Sequence, residues 1–225
     1  MSDTKRIMCF GDSLTWGWVP TPNGPPTTRY PFAERWPGVV QAALGPSFEI
    51  IEEGLSGRTT QLDDPIDPRL NGAAYLPSAI ASHLPLDMVI IMLGTNDSKY
   101  LFHRSAFEIA SSIAKLIDQV NRSGGGVGTA YPAPMPFIIA PPPLGRLAHP
   151  WTEAHFGGAH QKINEMATHY AALADYLNIG FLNAGDVMTT DGVDGIHFTA
   201  ENNADLGSAV AEKVSGLFST SRADS

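Results

Sequence analysis

Four short stretches of this sequence set chemically capable side chains among glycines. "FGDSL" contains Ser13, "GLSGRTT" contains Gly57, "LGTNDS" contains Asn96, and "DGVDGIHF" places Asp194 three residues before His197. A serine hydroxyl is a poor nucleophile until a base takes its proton and donors stabilise the oxyanion it makes. A loop holding Asp194 and His197 can aim the carboxylate at one imidazole nitrogen. That fixes the tautomer and leaves the other nitrogen for the serine. Asp191, in the same loop, is an alternative acid. The missing side chain of Gly57 lets its N–H approach a ligand closely. The side-chain amide of Asn96 adds a second donor, and one such donor lowers a barrier by about 2.7–4 kcal/mol. Singly, each stretch is also good turn or cap chemistry. All four together, each at a strand end or in the final loop, are far rarer, and the chemistry they fit is acyl transfer through a serine.

Other polar groups rank lower. Asp12 reads as a turn or helix-cap residue with no catalytic role. Arg58 and Asp97 read as structural, pairing with each other or capping. Asp63, Asp64, Asp67 and Arg69 form a polar loop whose prolines and missing terminal Glu argue against an EF-hand. The other histidines, His83, His103, His149, His155, His160 and His169, show no H-E-x-x-H or zinc spacing, so neither metal nor cofactor is expected. The glycine-rich stretch 123–128 lacks the Lys-Ser/Thr ending of a P-loop and reads as a turn. Leu14, Trp16, Trp18, Phe156 and Ile196 are candidates for an apolar wall that keeps water from the reacting centre. The two tryptophans suit core or interface packing equally well.

Such groups work only if the chain brings them to one place. Short apolar runs recur at 7–10, 48–51, 88–93, 137–140 and 179–182, and most are bounded by Gly, Pro or acidic residues. They read as buried parallel strands. Helical patterning fills 34–44, 104–121, 153–177 and 201–218, the last with a stripe of Leu206, Val210, Val214 and Leu217. Alternating strands and helices predict an α/β/α sandwich in which ligands bind at the carboxyl ends of the strands. The first three strand ends bear the Ser13, Gly57 and Asn96 stretches. The proline-rich stretches 19–31 and 131–150 read as long loops, of the kind that serve as lids or contact arms. The tail 219–225 reads as frayed.

Composition narrows the partners. The 225 residues suit one sizeable α/β domain over 1–225. A net charge of −9, with only 14 scattered basic residues, argues against nucleic acid and anionic membranes. Low charge leaves surface for subunit contacts, which favours an oligomer. The lone cysteine, Cys9, lies in an apolar run and reads as a buried strand residue, which fits a reducing compartment. The apolar run after Lys5 and Arg6 is too short for the core of a signal peptide, about 7–15 residues, so a cytoplasmic location is expected.

The four stretches, in this order, resemble the four blocks of the SGNH, or GDSL-type, hydrolases. Longer stretches such as "CFGDSLTWGWVP" and "TTDGVDGIHFT" resemble the mycobacterial arylesterase/acyltransferase (perhydrolase) subgroup, and the likeness runs from about Arg6 to Leu217. The resemblance implies a flavodoxin-like three-layer α/β/α fold with a five-stranded parallel sheet. It implies Ser13 as nucleophile, His197 as general base and acid, and Asp194 as the residue orienting it. It also implies an oxyanion hole of the Ser13 N–H, the Gly57 N–H and the Asn96 side chain. The activity implied is hydrolysis of small uncharged short-chain and aryl esters, with acyl transfer to alcohols or hydrogen peroxide, in a homo-octamer with a narrow apolar channel. A carbohydrate acetyl esterase using the same residues is the alternative. Gly57 stands where the subgroup has alanine, and Thr152 follows Trp151 where it has an aromatic residue.

Overall fold

Inside each apolar run the side chains alternate between two faces, as the strand period of two requires. The computed structural model describes residues 4–22 and 24–220. In β1 (Lys5–Gly11), Ile7 and Cys9 join one core cluster, while Met8 and Phe10 join the other. The remaining strands are β2 (Phe48–Gly54), β3 (Met88–Met92), β4 (Met135–Ala140) and β5 (Gly180–Asn183). They form one sheet in the order β2-β1-β3-β4-β5, and every pair is parallel. Ile7 lies opposite Ile50 on one side and Met88 on the other.

Helices cover both faces, giving the expected three-layer α/β/α architecture. On the face of Met8 and Phe10 lie α3 (Gly72–His83), α4 (Ala106–Asn121) and α6 (Ala159–Leu177). On the face of Ile7 and Cys9 lie α2 (Trp36–Leu44) and α7 (Ala200–Thr220). Two short helices, α1 (Ser13–Trp16) and α5 (Pro150–His155), follow β1 and precede α6. From β1 the chain steps to β2 on one side, then crosses to β3 on the other. This reversal opens a crevice beyond the carboxyl ends of β1 and β3, where ligands bind in such sheets.

The elements differ from the sequence expectation in four places. The helix expected over 153–177 is two helices, because Phe156 ends α5 and Gly158, at φ 76°, turns the chain into α6. The strand expected at 137–140 starts earlier, at Met135, so the stretch 131–150 is not one loop. Pro136 is tolerated there because it pairs only with Val89, and the pairing of β4 with β5 begins one residue later, at Phe137 opposite Gly180. Helix α3 was masked by Pro77 in its interior. Proline removes the N–H that would bond the carbonyl of Ala73, and Gln119 Nε2 of α4 donates to that oxygen instead, at 2.9 Å. Finally, α7 continues through Ser219 to Thr220; the rest of the expected tail lies outside the described residues.

Candidate active site

The serine is delivered by a strand that stops abruptly. β1 ends at Gly11, and Asp12 caps α1 by accepting the Leu14 N–H at 2.9 Å. Ser13 is therefore the first helical residue, at the mouth of the crevice, and 7% exposed. Space under α1 is tight: a Cβ on Gly54 would stand 2.4 Å from the Trp16 nitrogen.

The loop before α7 carries the Asp194–His197 pair. Asp194 Oδ1 accepts the N–H groups of Ile196 and His197, at 3.0 and 2.9 Å, which folds the loop back on itself. Asp194 Oδ2 is 2.8 Å from His197 Nδ1, and His197 Nε2 is 2.9 Å from Ser13 Oγ. An ionised carboxylate only accepts, so Nδ1 holds the ring proton and Nε2 is free to accept from the serine hydroxyl. Burial works against the Asp194 charge, but hydrogen bonds from the His197 ring and the two N–H groups outweigh it. They hold the carboxyl below its ordinary range. Asp191 is not in this line; its oxygens accept from Thr189 Oγ1 and Asn202 Nδ2.

The candidate oxyanion donors sit on the neighbouring strand ends. The Leu55 N–H and Arg58 Nη1 both donate to the Gly11 carbonyl, at 3.1 and 2.9 Å, tying the loop after β2 to the end of β1. Gly57 has φ 88°, a left-handed conformation that favours glycine. Among the described residues, neither the Ser13 N–H nor the Gly57 N–H donates to another backbone group. Asn96, just after β3, is 6% exposed, and its Nδ2 donates to the Arg58 carbonyl at 3.1 Å and to Asp12 Oδ2 at 3.2 Å. Arg58 and Asp97 do not pair. Arg58 also donates to the Glu53 carbonyl and lies over the Phe10 ring, and burial pulls its pKa down to about 10. Asp97 accepts the Thr60 N–H and hydroxyl, and burial pushes it up to about 6.

A cavity of about 420 Å³ opens against His197. Trp18 and Ile196 line it, with Trp151 and Thr152 from α5. The Trp18 ring stacks on the His197 imidazole at 5.0 Å and 17°. The stretch 19–31 folds back, with Val19 N–H on the Thr28 carbonyl and Tyr30 N–H on that of Gly17, and its Thr21, Pro22 and Pro25 form the facing wall. The other three wall candidates lie elsewhere. Leu14 is in the core beside Cys9 and Trp36, Trp16 lies beneath the Arg29 guanidinium, and Phe156 is buried in the α6-side core. Nothing in the sequence marks Trp151 as lining the cavity, whereas the length and proline content of 19–31 mark it as a lid or contact arm, the part it plays in this wall. Among the described residues, no three His, Cys, Asp or Glu side chains cluster as a metal site would need.

A hydroxyl, an imidazole and a carboxylate in this line can activate a serine, with N–H donors at hand for the charge it develops. The chain matches the GDSL-like Lipase/Acylhydrolase family over residues 9–204, from Cys9 past the Asp194–His197 pair. It belongs to the GDSL family of ester hydrolases. Two solved structures share its fold with a TM-score of 0.94, each matching 95% of this chain and 100% of its own. One is the aryl esterase of M. smegmatis, at 58% identity. The other is Est24, a carbohydrate acetylesterase from Sinorhizobium meliloti, at 56% identity. A further carbohydrate acetylesterase family member from the same organism is 38% identical with a TM-score of 0.86, over 94% of this chain and 97% of its own. None of the curated proteins compared with the chain matches it.

Proposed function

We propose that this GDSL hydrolase is a serine arylesterase that also transfers acyl groups. The observation that carries the reading is the unbroken line from Asp194 through His197 to Ser13, with contacts of 2.8 and 2.9 Å. Ser13 Oγ attacks the ester carbonyl carbon while His197 Nε2 takes its proton. The carbonyl oxygen becomes an oxyanion facing the Ser13 N–H, the Gly57 N–H and the Asn96 amide. Collapse breaks the bond to the alcohol or phenol, which leaves with the proton from His197. The acyl group remains on Ser13 as an ester. Water, an alcohol or hydrogen peroxide then gives up a proton to His197 and attacks the acyl carbon. The bond to Ser13 Oγ breaks, His197 returns the proton to that oxygen, and an acid, a new ester or a peracid leaves. Trp18 and Ile196 favour small apolar acyl groups and limit water at this second step.

The test is product analysis with phenyl acetate in water containing a small fraction of alcohol. The expected products are phenol, acetate and the acetate ester of the alcohol, the last in excess of the alcohol's molar share. Hydrolysis alone would remove the transferase half of the reading. Carbohydrate deacetylation is the second reading, favoured by the 56% identity to Est24 and by Thr21, His149 and Thr152 around the cavity, which can meet sugar hydroxyls. Faster release of acetate from acetylated xylan than from phenyl acetate would make it the better one.

The chain also assembles with copies of itself in this proposal, to the octamer that the family resemblance implies. Trp151 at the cavity mouth is 77% exposed, an apolar surface that a neighbouring subunit would cover. Light scattering at micromolar concentration checks it, and a monomer would refute it.

A further inference from the structure

Asp12 stands beside the serine but has no part in the steps above. It is fully buried, at 1% exposure, and its two oxygens have separate partners. Oδ1 accepts the Leu14 N–H at 2.9 Å, and Oδ2 accepts Asn96 Nδ2 at 3.2 Å. The first contact caps α1. The second has no bearing on α1, and it reaches across from the end of β1 to the end of β3.

The amide of Asn96 can point either its nitrogen or its oxygen at its surroundings. Two acceptors face it here, the Arg58 carbonyl and Asp12 Oδ2. A flipped amide would set its own oxygen against the Arg58 carbonyl and, where Asp12 is ionised, against its carboxylate, a repulsive arrangement in a buried site. The Arg58 carbonyl alone would hold one hydrogen and leave the amide plane free to swing. A second acceptor fixes the plane. Both contacts, at 3.1 and 3.2 Å, are longer than the commonest N–H···O distance of about 2.9–3.0 Å, so a new and stronger acceptor can draw a hydrogen away from either.

We propose that Asp12 is a positioning residue, whose carboxyl holds the Asn96 amide with its N–H groups toward the oxyanion. The inference rests on the oxyanion reading of Asn96. When the tetrahedral oxyanion forms, it takes a share of one Asn96 hydrogen, and Asp12 gives that share up without any movement of the backbone. The contact matters when charge develops and not when ester binds, so its loss appears in kcat.

The experiment is a double-mutant cycle on phenyl acetate turnover, with kcat and KM measured for Asp12→Ser, Asn96→Ala and the pair. Serine keeps a good helix cap at position 12 but is too short for Asn96. Asn96→Ala is expected to lower kcat by about 10²–10³-fold. Asp12→Ser should lower kcat at least tenfold with KM little changed, and the double variant should be no slower than Asn96→Ala alone. Should Asp12→Ser fail to fold, Asp12→Asn replaces it. Its single oxygen cannot serve both Leu14 and Asn96, so the same pattern is expected. If Asp12→Ser turns over like the parent, or its loss multiplies with that of Asn96→Ala, the positioning role is overturned while the oxyanion reading stands. If Asn96→Ala itself keeps full kcat, both fall.

Discussion

Asp194 uses its two oxygens for different ends. Oδ1 folds the loop through two backbone N–H groups, and Oδ2 orients the imidazole. An asparagine at 194 would have to turn its NH₂ end toward either the backbone N–H groups or Nδ1. Toward Nδ1, it would force the proton to Nε2, the nitrogen that must accept from Ser13. Asp194→Asn should therefore lower kcat by about 10⁴-fold with KM little changed. A loss of less than tenfold would contradict the assignment of the acid. The types and order of Ser13, Gly57, Asn96, Asp194 and His197 were legible in the sequence, because each sits in a glycine-punctuated junction whose chemistry is local. The choice between Asp191 and Asp194 was not, because both lie within reach along the chain. The fold separates them: Asp194 Oδ2 lies 2.8 Å from His197 Nδ1, whereas Asp191 pairs with Asn202, on α7. Asp12 read as a cap, which it is; its second oxygen meets a residue 84 positions away, and no local pattern shows that. The same holds for Trp18, whose neighbour His197 is distant in sequence. Trp18→Ala should admit water to the acyl-enzyme, so the ratio of ester to acid formed in alcohol-containing water should fall. An unchanged ratio would mean that Trp18 does not shield the second step.

The strands are the elements the sequence displays most plainly, since a strand buried on both faces must be apolar throughout. Their ends matter most for chemistry. Gly54 closes β2 directly under α1, where an added Cβ would meet Trp16 and Thr15 backbone atoms at 2.4–2.9 Å. Gly54→Ala should displace α1 and cost about 1–3 kcal/mol of stability, in the range of overpacked cores. Urea unfolding at one pH measures it, and an unchanged midpoint would show that α1 shifts freely. Helix α3 was hidden because Pro77 breaks the local helical signal, and its remedy lies on another helix. Removing that remedy, in Gln119→Leu, leaves the half-buried Ala73 carbonyl without its donor and should cost about 1–3 kcal/mol. The split between α5 and α6 was hidden for a different reason: the apolar spacing continues across Gly158, and only the backbone turn breaks it.

For the whole molecule, charge and burial set the response to pH. Burial pushes Asp12 up from 3.8 to about 7 and Asp97 to about 6. In the unfolded chain both lose their protons near 3.8, so between about pH 4 and 7 the folded form holds protons that the unfolded form releases. Their contribution to stability is full below pH 4 and is lost as pH rises to about 7. In Asp12→Ser one of these protons is absent, so unfolding free energy should fall less steeply over that window than in the parent. An identical slope would show that Asp12 does not hold a proton there. Among the described residues no helix is long and apolar enough to cross a membrane. In the proposed reaction Ser13 takes the acyl group. Quenching turnover of phenyl acetate in acid within the first cycles and mapping peptides by mass spectrometry tests it directly. One acetyl group per chain is expected on the peptide bearing Ser13, and none on Ser13→Ala, which should fold yet be inactive. Full turnover by Ser13→Ala, or an acetyl group on a different residue of an active enzyme, would contradict it.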